Sequence, residues 1–263
     1  MLNNNSYSDN NQIVYDFSNK QSKGLFLSKV FGMMFICLLI TTVVAAGFGY
    51  GFQMLLMKTA TVDGDVIIFN EQVVATLVGT LIGSAILLLI MSFVLPITFM
   101  RGKHNIIVPL MIYVTLMGIL LSAFTFMVDW VILVEAFGIT TIIFGTMGFL
   151  GYISKGRLAG IGVILLGLLI GAGLLSLMNW IMILVGGVSE TNVTLSWVVS
   201  LMIFAFLMLV TLYDVNRIRR IAEGGMTQNN NLVNYCAFIL YSDFISILVR
   251  VIYFLMIITN RRR

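Results

Sequence analysis

The sequence predicts an all-α polytopic membrane protein with seven transmembrane helices. Hydrophobic residues make up 60% of the chain and charged residues only 10%, whereas soluble domains carry about 25% charged residues. Mean hydropathy is +1.05, and uncharged runs of about the length that crosses a bilayer, roughly 20 residues, fill most of the chain. These runs are continuously apolar rather than alternating, which disfavours a transmembrane β-barrel.

The charged residues divide the chain into its segments. Uncharged stretches cover residues 30–57, 72–100, 105–128, 136–154, 158–189 and 191–213. A seventh segment, 232–258, is apolar except for Asp243 and Arg250. Only short connections remain between the segments, so residues 25–263 are expected to form a single membrane domain.

The first 24 residues differ in composition from the rest. They are rich in Asn and Ser and poor in large aliphatic residues, so they cannot bury enough apolar surface to offset the entropy of ordering. We therefore expect residues 1–24 to be a disordered polar tail. The apolar run that follows is longer than the core of a signal peptide, which predicts a first membrane helix instead.

Basic residues in the connections predict the orientation. With the N-terminus in the cytosol, the inner connections carry ten Lys and Arg residues, whereas the outer ones before segment seven carry only Lys58. Seven full spans would leave Arg261–Arg263 outside, and a re-entrant last segment would keep them inside; we favour seven spans. The expected location is a bacterial plasma membrane, with the lipid bilayer as the first partner and no nucleic acid.

The cysteines and the histidine indicate no metal or redox chemistry. Cys37 and Cys236 lie within or at the edge of apolar segments, which predicts packing and neither a disulfide framework nor metal-ligand spacing. His104 lies in a basic turn with Arg101 and Lys103 and is expected to be solvated. We expect no resident cofactor.

Two carboxylates stand inside apolar segments. A charged side chain at membrane depth costs about 2.5–3.5 kcal/mol on insertion scales, so Asp214 and Asp243 are the leading functional candidates. Asp214 lies at the predicted inner end of segment six, and Asp243 lies about 16 Å along segment seven. Arg101 ends segment two at the same side. These three groups could form one site if their helices are neighbours.

The chemistry of such a pair is that of a pH switch. Two carboxylates close together in a medium of low dielectric constant cannot both ionise cheaply, so they titrate as a unit. A protonated pair can share a hydrogen bond that holds two helices together. An ionised pair repels and can bind a cation through its oxygen atoms. Asp214 and Asp243 are thus the predicted pH sensor and the candidate ligands of a cation.

Each candidate also has a purely structural interpretation. Asp214 can pair with Arg217, three residues later on the same helix face. The same-face cation of Asp243 is Arg250, about 10.5 Å away along the axis and too distant for a direct bond. Glu135 opens segment four, and an acid at a helix N-terminus is favoured by the helix dipole. In the functional interpretation, Glu135 lies at the outer mouth of a cation path. Arg101 can serve simply as an inner-loop charge.

Four motifs together carry a resemblance to a known family. Residues 212–218 contain a Tyr-Asp motif at the end of segment six, and residues 240–246 read Leu-Tyr-Ser-Asp-Phe-Ile-Ser. Residues 135–138 and 118–122 also match. On these motifs, in the expected order within residues 25–259, the chain resembles the Bax inhibitor-1 family of membrane proteins.

The resemblance implies six helices around a central seventh and a pH-sensitive calcium leak controlled by the two aspartates. It also implies that an arginine at the inner end of the second helix takes part in the switch, and Arg101 matches that position. Ser246 replaces the family's usual Asn, Arg250 stands where the family is apolar, and Tyr253 lies near where the family often has Arg.

An intramembrane aspartyl protease is the main enzymatic alternative, because it also uses a Tyr-Asp and a second Asp on consecutive helices. That class requires Gly-x-Gly before the second Asp, so that the substrate backbone can approach. Here Leu240, Tyr241 and Ser242 precede Asp243, and no proline follows Pro109 to form the later Pro-Ala-Leu motif. We therefore predict that the protein is not an enzyme.

Two further functions remain open at this stage. A non-conducting regulator would bind another membrane protein, such as a protease or a death-pathway component, and would use the aspartates only for helix packing. Proton-coupled transport of a small solute would make flux depend on that solute. The function that the motifs favour is a pH-gated calcium leak.

Overall fold

The computed structural model describes residues 20–63, 66–101, 105–154, 161–186, 190–223 and 230–260. Within them, seven helices are long and apolar enough to cross a membrane. This confirms the predicted all-α membrane architecture. The placement of the seventh helix at the centre of the other six stays a prediction.

The helices follow the apolar segments in order, with one short hairpin between the first two. The elements are α1 Lys20–Thr59, β1 Thr61–Asp63, β2 Val66–Ile68, α2 Glu71–Arg101, α3 Ile107–Leu121, α4 Phe124–Met127, α5 Trp130–Ile153, α6 Ile161–Gly186, α7 Glu190–Glu223 and α8 Asn230–Asn260. The short α4 continues α3 as a single span, Ile107–Met127. The antiparallel hairpin pairs Thr61 with Ile68.

Several helices extend beyond the uncharged segments that predicted them. The first helix begins at Lys20, so residues 20–24, which were assigned to the tail, are helical. Helix α7 continues to Glu223, nine residues past Asp214. A helix that has formed adds residues at little cost, so it continues past the charged residues that end an apolar run. The rest of the predicted tail, residues 1–19, lies outside the described residues.

The seventh segment forms one unbroken helix. Helix α8 has 31 residues, about 46 Å at 1.5 Å per residue, whereas the hydrocarbon core of a bilayer is about 30 Å thick. Its length therefore suits a complete span better than a re-entrant segment. Arg261–Arg263 lie outside the described residues.

The chain divides into two compact units, Met1–Asp129 with Ala222–Tyr241 and Trp130–Ile221 with Ser242–Arg263. In the first unit, α1 approaches α3 closely at Gly118, where a Cβ atom would lie 2.7 Å from Cβ of Val44. The hydroxyls of Thr41 and the fully buried Tyr241 are hydrogen-bonded at 2.7 Å. Cys37 and Cys236 are both buried.

In the second unit, α5 provides a face of buried residues that contacts α7 and α8. The members of this face recur every three or four residues, as expected for one side of a helix; they are Ala136, Thr140, Phe144, Gly148 and Gly151. This face sets the distance between α5 and the two helices that carry the aspartates.

Candidate functional site

The second unit brings Asp214 on α7 and Asp243 on α8 into one electrostatic environment. Asp243 is buried, with 9% of its surface exposed, and Asp214 is half-buried. Electrostatic interaction couples the two carboxylates that the sequence singled out, one on α7 and the other on α8.

Close contact between α5 and α7 holds the backbone on either side of Asp214. A Cβ atom at Gly151 would lie 2.5 Å from the backbone oxygen of Leu212 and 3.2 Å from Cβ of Val215. Because real Cβ atoms do not approach other heavy atoms so closely, this contact requires glycine. Leu212 and Val215 flank Asp214 in the chain, so Gly151 allows α5 to pack against the turn that carries this carboxylate.

Asn216 and Arg219 fasten the end of α5 to α7. Helix α5 ends at Ile153, and the last carbonyls of a helix lack partners within it. The side-chain amide of Asn216 donates to the oxygen of Gly151 at 3.0 Å and to that of Ser154. Arg219 donates to the oxygen of Tyr152. Its guanidinium also lies 5.2 Å from the centre of the Tyr152 ring.

The roles of Asn216 and Arg219 were not predicted from the sequence. Asn216 follows Asp214 by two positions, and its 3% exposure shows that it is buried. An asparagine so deep in a polytopic chain is a signal of a specific hydrogen bond, because an unpaired amide is costly to bury. Arg219 was read only as a topology-determining charge.

Aromatic packing holds α8 against α5 beside Asp243. The ring of Phe244 lies 5.4 Å from that of Phe137 and 5.5 Å from that of Phe144. Leu240 and Ile247 on α8 are both fully buried. Asp243 therefore lies in a closely packed region of the helix.

One carboxyl oxygen of Asp243 is buried, and the described residues offer it no hydrogen bond. Among the residues that the structure describes, Oδ2 of Asp243 has no hydrogen-bond partner. Leaving such a group unsatisfied costs about 1–3 kcal/mol, and more if it is charged. Because of this cost, Oδ2 of Asp243 does not stabilise the fold and is a candidate functional group. Thr140, buried between Phe137 and Phe144 along α5, likewise has a hydroxyl oxygen without a partner in the described ranges.

One observation supports the structural interpretation of Asp214, in which this carboxylate pairs with Arg217. Arg217 is exposed, yet its positive charge acts on the Asp214 carboxylate. The sequence predicted that Asp214 lies at the end of its helix. Helix α7 instead continues to Glu223. Asp214 therefore lies between the buried part of the unit and the arginines that follow it.

The prediction that Glu135 opens a helix was wrong. Helix α5 begins at Trp130, and its first turn contains no acid. Glu135 is the sixth residue of the helix and its side chain is exposed. The helix was predicted to begin where the uncharged stretch 136–154 begins, whereas α5 begins directly after Asp129. Stabilisation by the helix dipole falls off within the first turn, so it does not explain Glu135.

Arg101 is the last residue of α2, in the first unit, and its side chain is not among those described. Lys103 and His104 lie outside the described residues. The role of Arg101 beside the aspartates stays a prediction.

The two carboxylates can contact a cation but supply few of the ligands that calcium takes. Calcium in proteins binds six to eight oxygen atoms. In the described parts of the chain, three or more His, Cys, Asp or Glu side chains do not cluster as a metal site. Two carboxylates have four oxygen atoms between them, which is fewer than such a site requires.

Comparison with known proteins assigns the chain to a family. Residues 24–262 match the family model described as inhibitor of apoptosis-promoting Bax1. The chain is 27% identical over 242 residues to the inner membrane protein YbhL of Escherichia coli strain K12, a match that covers 90% of this chain and 92% of YbhL. YbhL of Escherichia coli strain O6:H1 matches to the same extent. Because the family model covers nearly all of the chain, this integral membrane protein belongs to the Bax inhibitor-1 family.

Proposed function

We propose that this protein is a pH-sensitive calcium leak channel whose gate is the pair Asp214 and Asp243. The observation that carries the proposal is the buried, unpartnered Oδ2 of Asp243, in a carboxyl that interacts with a second carboxyl on the adjacent helix. Membership of the Bax inhibitor-1 family supports it further. A bacterial plasma membrane, with the N-terminus in the cytosol, is the proposed location, in keeping with the inner-membrane relative.

The gate operates through the protonation state of the pair. With one proton shared, the two carboxyls form a hydrogen bond that holds α7 against α8. With the proton lost, two negative charges face each other in a medium of low dielectric constant and repel strongly. The helix pairing then changes, and the free carboxylate oxygens become available to a cation. The pair titrates as one unit, so both carboxyls are needed for a response to pH.

Arg101 and Glu135 complete the proposed mechanism. Arg101 is the latch, since a guanidinium that pairs with a carboxylate favours the ionised form and withdraws when the carboxylate is protonated. Glu135, exposed on α5, would attract cations to the mouth of the path.

Calcium entry into proteoliposomes at pH 6, 7 and 8 tests the gate. The parent protein is expected to show flux that changes with pH, and Asp214→Asn and Asp243→Asn to show the same flux at all three values. Thr141→Ala is the control, because Thr141 is exposed on α5 and its hydroxyl bonds only within its own helix, to the oxygen of Phe137 at 2.8 Å. A normal melting temperature of each variant shows that loss of the response is not loss of folding.

Two outcomes would remove the proposal. If Asp243→Asn keeps the full pH response, Asp243 is not the gate. If the folded parent protein shows no flux above that of empty liposomes at any pH, the protein is not a leak channel. The non-conducting regulator would then be the better description.

A further inference from the structure

The second unit contains a further charged residue within a membrane-spanning helix. Arg250 is on α8, seven residues after Asp243, and its side chain is half-buried. The separation along the helix is about 10.5 Å, so the two side chains do not form a direct ion pair. The gate described above does not use Arg250.

The described part of the chain satisfies little of the hydrogen-bonding capacity of Arg250. Nη1 donates to Oγ of Ser200 on α7 at 3.5 Å, and the guanidinium carbon lies 5.9 Å from the centre of the Tyr253 ring. A guanidinium has five N–H donors. One long hydrogen bond leaves most of them without an acceptor among the described residues. A phosphate or carboxylate is the partner that such a group binds most strongly.

The aromatic residues near Arg250 indicate that this part of α8 lies close to a membrane interface. One turn beyond Arg250, the ring of Phe254 stacks on that of Trp197 on α7, and the ring centres are 6.0 Å apart. The centre of the Tyr253 ring lies 6.1 Å from that of Phe254. Tryptophan and tyrosine are enriched where the hydrocarbon meets the headgroups. With α8 centred in the bilayer, Arg250 lies about 7.5 Å inside the hydrocarbon boundary. A long arginine side chain covers that distance by snorkelling.

Apolar side chains that face lipid flank the charge. Val249 precedes Arg250 and is 37% exposed, and Leu201 follows Ser200 and is 57% exposed. Acyl chains can pack on these two residues while the headgroup lies beside the guanidinium. We propose that Arg250 binds the headgroup phosphate of an anionic phospholipid at the surface formed by α7 and α8.

The binding follows from charge and geometry. Arginine donates two parallel N–H bonds to phosphate oxygens. In a zwitterionic lipid, the choline group offsets the charge of the phosphate, so an anionic lipid binds more tightly. The Tyr253 ring further stabilises the guanidinium in the half-buried position.

Tryptophan fluorescence tests the site. The chain has three tryptophans, and Trp130 and Trp180 are 74% and 60% exposed, so both can be replaced by Phe to leave Trp197 as the reporter. In nanodiscs of phosphatidylcholine, brominated phosphatidylglycerol should quench Trp197 at lower mole fraction than brominated phosphatidylcholine does. Arg250→Gln should weaken this preference roughly tenfold, the expected effect of losing a charge-assisted pair. Arg250→Lys should retain part of it.

Arg220→Gln is the matched control, since Arg220 is exposed in the last turn of α7, and it should keep the full preference. Equal quenching by the two brominated lipids in the parent, or an unchanged preference in both Arg250 variants, would overturn the proposal. Millimolar inorganic phosphate in lipid-free detergent separates a lipid site from a site for free anions. A rise in melting temperature that Arg250→Gln abolishes would assign the site to free phosphate and refute the lipid assignment.

Discussion

Gly151→Ala is the sharpest test of how the fold positions the gate. The added Cβ atom would lie 2.5 Å from the oxygen of Leu212, about 0.9 Å short of the 3.4 Å at which ordinary contact begins. The obstructing atom belongs to the backbone and cannot rotate away. Helix α7 must therefore move away from α5, at the turn that carries Asp214.

The expected loss of stability follows from this displacement. Overpacking of a well-packed site costs about 1–3 kcal/mol, and 1 kcal/mol lowers the melting temperature of a chain of this size by roughly 2–4 °C. We expect Gly151→Ala to lower the melting temperature in detergent by about 2–12 °C. Separation of the helices would also lengthen the 3.0 Å hydrogen bond from Asn216 to Gly151.

Gly145→Ala is the control on the same helix. A Cβ atom there would have no heavy atom within 4 Å, and alanine is favoured over glycine in a helix by about 1 kcal/mol. This variant should be at least as stable as the parent protein. If both variants melt at the same temperature, the close contact between Gly151 and Leu212 does not exist in solution and the reasoning about Asp214 fails with it.

The remaining predictions concern single hydrogen bonds and the latch. Asn216→Ala should cost about 1–3 kcal/mol, because it removes the donor to two carbonyls at the end of α5; a melting temperature equal to that of Arg220→Ala would contradict this. Tyr241→Phe should cost about 1 kcal/mol, because it removes the bond to Thr41, whereas Tyr50→Phe at a 64% exposed position should cost nothing measurable. Arg101→Gln should move the midpoint of the flux-against-pH curve in liposomes without abolishing the response; an unmoved midpoint would exclude the latch.

The residues of the site were predicted unequally well. Asp214 and Asp243 could be found because a carboxylate in an apolar segment is expensive and therefore conspicuous. Asn216 and Gly151 were missed, since a neutral polar residue or a glycine is common in membrane helices and its role depends on what it faces. Glu135 was misplaced because a helix boundary was inferred from charge alone.

The sequence by itself determined that this chain is a membrane protein of seven apolar helices and that two aspartates lie within them. Hydrophobicity and charge are local properties, and the cost of placing a residue in lipid depends little on its neighbours in the fold. Only the tertiary structure decided that Asp243 has a buried oxygen without a partner and that Gly151 brings α5 against the backbone beside Asp214. Contacts between distant helices depend on packing, which no single segment of the chain contains.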